Sequence, residues 1–377
     1  MQEKNISDDE INLEEWVEKS ASFLQSHDWT LFQESLGRKS LHFNFFMEKD
    51  IPPDDKMVAN FYFYKLPLFG GYWYCPRGPI GGGAALEIFL KDFSNFSKNF
   101  SNSKPKPLFV RMEFCHPHTE ELVSKIKNLG FEKAPHTMQP EKTSILNLAL
   151  SEEDLLKVMQ SKTRYNIKVA QKNNIEVREL DSIEPFLELL HETSSRNKFH
   201  LHPDSYYGRL FSFFSGSEKP IGANPHTLPQ NKEPNGHANP DQNIGDKILN
   251  SAKGVGVKIF GAFLGNTLLA ADMVIFYGKR ATYLHGASSS DHRNLMAPYL
   301  LHWEIMKNAK KSGFSEYDLW GIDEKKWPGA TRFKEGFGGK EVEYIGSYDF
   351  SINNIGYKIY KIFSRSNLQL KKWLKFI

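Results

Sequence analysis

Apolar and polar positions repeat with two different periods along this chain, and the switches between them mark its elements. Residues 10–38 carry helical spacing broken near Ser26-His27-Asp28, with Asp28 expected to cap a helix holding Trp29, Phe32 and Gln33. Runs rich in aromatic and β-branched residues predict strands at 41–46, 58–66 and 72–75. The turn Pro76-Arg77-Gly78-Pro79-Ile80-Gly81-Gly82-Gly83 then opens a helix reaching Phe100. A strand at 108–112, a helix at 121–129 closed by Gly130 and a strand at 145–150 follow.

A second unit is expected from Ser151. It reads as helices at 152–159 and 161–173, a strand at 175–178, and helices at 183–195 and 204–213. Residues 215–252 are rich in Pro, Gly and Asn and poor in large apolar side chains, so a mobile insertion is expected there. Three antiparallel strands at 255–264, 268–277 and 281–285 turn at Gly265-Asn266 and Gly278-Lys279. Ala297, Leu300, Leu301, Ile305 and Ala309 then share one helix face, with Pro298 in the first turn and Gly313 at the end. Tyr317, Leu319 and Trp320 form a short buried strand ending at Gly321; a polar loop that delivers Arg332, Phe333 and Lys334 and a short helix follow. A last strand is expected at 342–347. This alternation makes the chain α/β (α+β), and each half contains helices, a meander, then strand–helix–strand.

Composition narrows the class. At 377 residues the chain holds two domains of ordinary size, at ~150 residues each. It is 40% hydrophobic and 25% charged, as globular proteins are, and its 14% aromatic content supports a large core. A net charge of +3 gives no strong global field, so cations matter where they cluster. Arg164, Lys168 and Lys172 recur every four residues on one helix, with Lys162 beside them, and offer either a phosphate-binding stripe or a solvated face. The tail over 351–377 holds Lys358, Lys361, Arg365, Lys371, Lys372 and Lys375 among apolar residues. It fits either an anionic membrane surface or docking on its own core.

Two cysteines, Cys75 and Cys115, are too few for a disulfide framework or metal cage and fit a reducing compartment. His202, His226 and His237 are too scattered for a metal site, and no metal is expected. The acidic start lacks a signal-peptide pattern, and no run of ~18 apolar residues occurs. A cytoplasmic protein, or one peripheral on the inner face of the plasma membrane, is expected. The glycine-rich turn at 76–83 has neither G-K-[ST] nor G-x-G-x-x-G, which excludes Walker and dinucleotide motifs. The [QR]-x-x-G-x-[GA] turn of acetyl-CoA enzymes is absent too.

Several motifs occur in a telling order. They are W-x-x-F-Q-x-S-L-G at 29–37, Y-x-P-R-G-P at 74–79, V-R-M-E at 110–113, Q-P-x-x-T at 139–143 and S-K-T-R-Y-N-I-K at 161–168. Then come Y-x-x-G-A-S-S from Tyr283, L-M-A-P-Y-L-L-x-W-E from Leu295, Y-D-L-x-G-I from Tyr317 and R-F-K-x-G-F-G-G from Arg332. Over roughly residues 20–350, less the insertion, the chain resembles the Fem-type (FemABX) peptidoglycan aminoacyltransferases. The resemblance implies a tandem of two GNAT-like acyltransferase domains over 1–150 and 151–339, mixed sheets flanked by helices. A strand at about 340–350 would return to the first domain. No sustained heptads appear, so the coiled-coil arm of many members is not expected.

The implied activity moves an amino acid from aminoacyl-tRNA to the side-chain amine of a lipid-linked or UDP-linked muropeptide, forming an interpeptide bridge. No coenzyme A, other cofactor or DNA takes part. Two other readings stay open: an N-acyltransferase of GNAT type acting on a protein N-terminus or a lipid, and a non-catalytic muropeptide- or tRNA-binding module.

An aminoacyl ester is already activated, so the remaining work is positioning and oxyanion stabilisation. Lys334 and Phe333 match the family's F-K pair, which the resemblance places at the transfer centre. Lys334 would face the oxyanion or the terminal tRNA phosphate, and Phe333 would stack on a nucleobase. Glu113 matches a carboxylate considered as general base; the alternative is an ion pair with Arg111. Tyr283, Tyr206 and His285 are candidates for bonding the substrate peptide or moving a proton, and Asp323 for orienting an amine. Lys162, Arg164 and Lys168 are candidates for phosphates, and Arg77 joins the substrate-binding set. Gln33 stands where the family can have a phosphate-binding Lys, and His202 where an Arg can precede the Pro; both belong to that set.

Overall fold

The computed structural model describes residues 22–45, 57–66, 70–197, 199–215 and 254–366. The expected insertion beyond Ser215, the acidic start and the end of the basic tail lie outside the described residues. The first half runs α1 (His27–Ser35), β1 (Ser40–Phe45), β2 (Met57–Leu66), β3 (Gly70–Cys75), β4 (Ile80–Gly81), α2 (Gly83–Asn102), β5 (Phe109–Pro117), α3 (Glu120–Asn128), β6 (Phe131–Lys133) and β7 (Lys142–Asn147). The second begins with α4 (Glu152–Val158), α5 (Ser161–Lys172), β8 (Ile175–Glu179), α6 (Glu184–Asn197) and α7 (Asp204–Phe214). It continues with β9 (Gly256–Leu264), β10 (Thr267–Tyr277), β11 (Arg280–Ser288), α8 (Ala297–Lys311), β12 (Glu316–Gly321), α9 (Pro328–Glu335), β13 (Lys340–Ser351) and α10 (Asn354–Ser366).

Two local expectations need correction. The cap of α1 is Ser26, whose hydroxyl accepts from the Trp29 amide at 3.1 Å. Asp28 sits in the first turn, where an acid suits the helix dipole, and accepts from the Val255 amide at 2.8 Å. Arg332, Phe333 and Lys334 lie on helix α9 and not in a loop.

The strands form one mixed sheet ordered β1-β2-β3-β5-β13-β7-β12-β11-β10-β9-β8, with β4 on β2 and β6 on β13. The pairs β3/β5 and β11/β12 are parallel. The joint is β13: Tyr344–Ser351 pair with β5, while Lys340–Glu343 pair with β7. A strand from near the chain's end thus completes the sheet of the first half. Its hold there is a buried pair, Arg111 to Asp349, with bonds of 2.7 and 2.8 Å. Arg111 therefore pairs with Asp349 and not with Glu113. Tyr357 and Tyr360 of α10 complete the knot.

Three apolar clusters fill the sheet's faces. One lies under α2 around Phe89, Phe93 and Phe96. One lies under α8 around Leu301, Trp303 and Phe337. The third joins the halves, packing Trp29, Phe32 and Tyr74 with Leu210, Phe214 and Met273. Trp29 stacks on Phe214 with ring centres 6.2 Å apart. Among the described residues the second half has no helix longer than the 15-residue α8, and no helix is long and apolar enough to cross a membrane.

Candidate active site

Helix α9 is short but well held. Pro328 opens it without wasting an amide. Beyond it, Gly338 has φ +80°, and a Cβ there would lie 2.1 Å from the Val158 carbonyl oxygen. Only glycine lets the turn press this closely against the end of α4. Lys334 is half-buried; its Nζ donates to the Gly321 carbonyl at 2.8 Å and lies 5.1 Å from the Tyr283 ring centre. Burial pushes Lys334 down to about 8, against the opposing pull of Asp318 and Asp272. Phe333 is packed by protein: its ring meets Tyr299 edge-on at 4.8 Å, Phe337 at 5.3 Å and His302 at 5.3 Å.

A buried polar group that the motifs do not reveal lies on strand β10. Asp272 of β10 is 4% exposed. Its partner across the ladder is Gly286. A Cβ on Gly286 would meet the Tyr283 hydroxyl at 2.0 Å and Asp272 Oδ1 at 2.6 Å, so the bare backbone makes room for both. His302 Nε2 is 3.4 Å from Asp272 Oδ2, and its Nδ1 is 2.8 Å from the Tyr317 hydroxyl. Burial, and then the charge of Lys334, hold His302 down at about 3, so its imidazole is neutral. Burial drives the Asp272 carboxyl well above the usual range, with Lys334 opposing. Burial also raises the Tyr283 and Tyr317 phenols, so both stay protonated. Asp318, beside them, accepts from the Thr143 hydroxyl and from the Trp320 amide at 2.8 Å, with Arg280 at 3.6 Å. The available signal was Asp272 itself, the one charged residue in the run 268–277. A lone acid in a buried strand is costly unless partnered or used.

Across the seam, Glu113 is held by four donors. It accepts from the Tyr74 hydroxyl, the Met138 and Gln139 amides at 3.1 and 3.0 Å, and the Ser347 hydroxyl at 2.8 Å. Arg77 is a strut. It donates to the Pro140 carbonyl at 2.6 Å and lies 3.9 Å over Tyr344 and 5.1 Å over Trp320. Arg77 and Trp320 both adopt left-handed backbones, φ 48° and 56°. Such strain persists where surrounding contacts enforce it. Pro140 in turn abuts Gly321, where a Cβ would be 2.7 Å from its ring. A continuous contact path thus runs from Arg77 to Lys334.

Beside the seam stands an aromatic wall. The His202 ring is 4.4 Å from Tyr206 and 6.5 Å from His285. Burial holds His202 at about 4 and His285 at about 3, so both are neutral near pH 7. Gln33 is buried, and its Oε1 accepts from Arg38 at 2.6 Å. Arg38, a cation the motif reading passed over, lies 4.4 Å over the Tyr64 ring.

The remaining candidates are not drawn into this cluster. Lys162 and Lys168 are exposed on α5. Arg164 braces α4 against α5 through the Met159 carbonyl and the Ser161 hydroxyl. Asp323 closes the loop before α9, accepting from the Lys325 and Lys326 amides at 3.0 Å each. A surface groove of about 580 Å³, lined by residues including Arg178, Glu304, Lys307 and Lys311, contains none of the candidates.

The sequence profile of the FemAB family matches residues 9–221 and 262–365. The chain belongs to the FemAB family. Among its relatives, Aminoacyltransferase FemB of Staphylococcus epidermidis is 24% identical over 93% of this chain and 95% of its own. Aminoacyltransferase FemA of the same species is 22% identical over 82% of this chain and 87% of its own. The crystal structure of FemX superposes with a TM-score of 0.71 and 17% identity, covering 96% of this FemAB chain and 100% of FemX. That likeness is one of fold.

Proposed function

We propose that this chain moves an amino acid from aminoacyl-tRNA to the side-chain amine of a lipid-linked or UDP-linked peptidoglycan precursor, extending an interpeptide bridge. The observation that carries the reading is Lys334, a partly desolvated cation with one carbonyl acceptor, set in a family whose named relatives are aminoacyltransferases. The acceptor amine attacks the ester carbonyl, and its lone pair forms the new C–N bond. The carbonyl electrons move to oxygen, and the Lys334 ammonium stabilises that oxyanion where low dielectric strengthens the attraction. The C–O bond to the ribose then breaks, and the leaving oxygen takes the proton lost by the amine. This scheme uses neither coenzyme A nor a metal.

Lys162, Lys168 and Arg38 are suited to backbone and precursor phosphates, which need charge without sequence readout. His202, Tyr206 and His285 offer the precursor a neutral aromatic wall. The chain would act in the cytoplasm, or on the inner membrane face where a lipid-linked acceptor lies. Helix α10 presents Ile355 and Ile359 outward beside exposed Lys358, the start of a basic face suited to such a surface.

The test supplies total tRNA charged with labelled amino acids together with soluble and lipid-linked muropeptides. Label should reach a muropeptide, and ribonuclease treatment of the donor should abolish transfer. Transfer that survives ribonuclease, or that requires an acyl-coenzyme A, would refute the reading.

A further inference from the structure

Phe333 packs its ring on Tyr299, Phe337 and His302. The ring that faces water beside Lys334 is Trp327, the cap residue of α9. It is 48% exposed, the most open tryptophan among the described residues. Tryptophan is highly buried on average, because its ring carries a large apolar surface.

The backbone fixes its place. The Trp327 amide donates to the Asp323 carbonyl at 2.8 Å, and the Trp327 carbonyl accepts from the Thr331 amide at 2.9 Å. The Thr331 hydroxyl accepts from the Asp323 amide at 2.9 Å, which ties the loop to the helix. The indole is thereby set against Gly321: its Cζ3 lies 3.8 Å from where a Cβ on that glycine would stand. The carbonyl of the same glycine holds Lys334 Nζ at 2.8 Å. Ring and ammonium thus flank a single residue.

Exposed cations accompany the ring. Lys326 Nζ is 5.9 Å from its centre and pairs with Asp323 at 3.1 Å, while Lys325 and Arg332 are exposed on the loop and the helix. The other end of α9 is about 12 Å away, at 1.5 Å per residue. There the Gly336 carbonyl accepts from the Gln160 amide at 2.9 Å, which joins α9 to the start of α5. On α5, Lys162 and Lys168 flank Tyr165, itself 66% exposed. Open aromatic rings among exposed cations suit single-stranded RNA, whose bases stack on rings and whose phosphates take cations. The ester of an aminoacyl-tRNA sits on the terminal ribose, so the base on that ribose must lie beside Lys334. The uridine of a UDP-linked acceptor is separated from the acceptor amine by a diphosphate, a sugar and a peptide.

We propose that Trp327 is a donor-binding residue, the stacking platform for the 3′-terminal base of the RNA that carries the amino acid. This rests on the reading of the chain as a tRNA-dependent transferase. Lys325 and Arg332 take the phosphates next to that base, and the exposed face of α5 extends the surface.

The probe is an RNA microhelix ending in single-stranded ACCA, bound to the full chain and followed by fluorescence anisotropy, beside the same RNA with an abasic 3′ residue. The natural protein should bind the intact RNA about 5- to 150-fold more tightly, which is the worth of one stacked base (~1–3 kcal/mol). Trp327→Ala should bind both RNAs alike, at the abasic level, with its affinity for UDP-linked muropeptide unchanged. Trp327→Phe, which keeps a ring, should recover most of the preference for the intact end. A natural protein blind to the terminal base overturns the proposal, as does a Trp327→Ala chain that keeps the preference. Equal losses for intact and abasic RNA overturn it too, since they report a displaced α9, and so does a loss that falls on muropeptide binding instead. Trp327→Gln serves as a second ringless variant, and failure of both to fold overturns the proposal, since Trp327 would then be a framework residue. Ribonuclease-sensitive transfer by a chain whose Trp327→Ala variant binds both RNAs as the natural protein does would sink the platform alone. Recognition of the terminal base through Trp327 without any transfer from charged tRNA would sink the functional reading instead, so the two failures are distinguishable.

Discussion

Glu113 and Lys334 are both charged groups at the seam, and their partners separate their roles. Glu113 receives four donors, two of them backbone amides, three on Oε1 and one on Oε2, and so is committed to holding the seam together. Lys334 gives one proton to a carbonyl and has two more to donate. Glu113→Ala should therefore cost about 2–4 kcal/mol of stability by orphaning buried donors. Glu113→Gln, where it folds, should keep its transfer rate within about tenfold, whereas losing a general base costs ~10²–10⁴-fold. Urea titration and single-turnover transfer measure the two effects, and a large rate loss without destabilisation would return Glu113 to the chemistry. At this scale the sequence was legible in its motifs, which single out Phe333-Lys334 as candidates. It was opaque where a role depends on partners far along the chain. Nothing near Glu113 in sequence announces Met138 and Gln139, and Gln33 gave no sign that it holds Arg38.

Helix α9 shows what decides an element. Its eight residues lie between a proline and a glycine turn; a short helix after the polar loop was legible, but not that it carries Arg332, Phe333 and Lys334. Tertiary packing of Phe333 on Tyr299 and Phe337 holds it. The strands were easier to read because alternation and hairpin turns are local signals, as at Gly265 and Gly278. The double pairing of β13 was not readable from periodicity, since which strand a strand joins depends on non-local contacts. The position of α9 also depends on Gly338. Gly338→Ala should strain the left-handed turn and collide with the Val158 backbone, costing at least about 2 kcal/mol and displacing Lys334. Melting and transfer assays should fall together; a variant that melts and turns over like the natural chain would show that the turn relaxes freely.

Across the whole molecule, one sheet and one shared aromatic cluster connect the two halves of the chain, and the strained pair Arg77 and Trp320 sits where they meet. At that seam Lys334 of the second half is linked through Gly321 and Pro140 to Arg77 of the first. The motif order made the tandem arrangement legible, while the seam itself emerged only from packing. The account stands on Lys334 acting as the charge that steadies the oxyanion. The most direct measurement is single-turnover transfer from purified aminoacyl-tRNA to muropeptide by the natural chain and by Lys334→Ala, with donor binding measured in parallel. The account predicts a rate loss of ~10²–10³-fold with donor affinity changed only a few-fold. A Lys334→Ala variant that transfers at the natural rate, or that fails only because it no longer binds the donor, would contradict it.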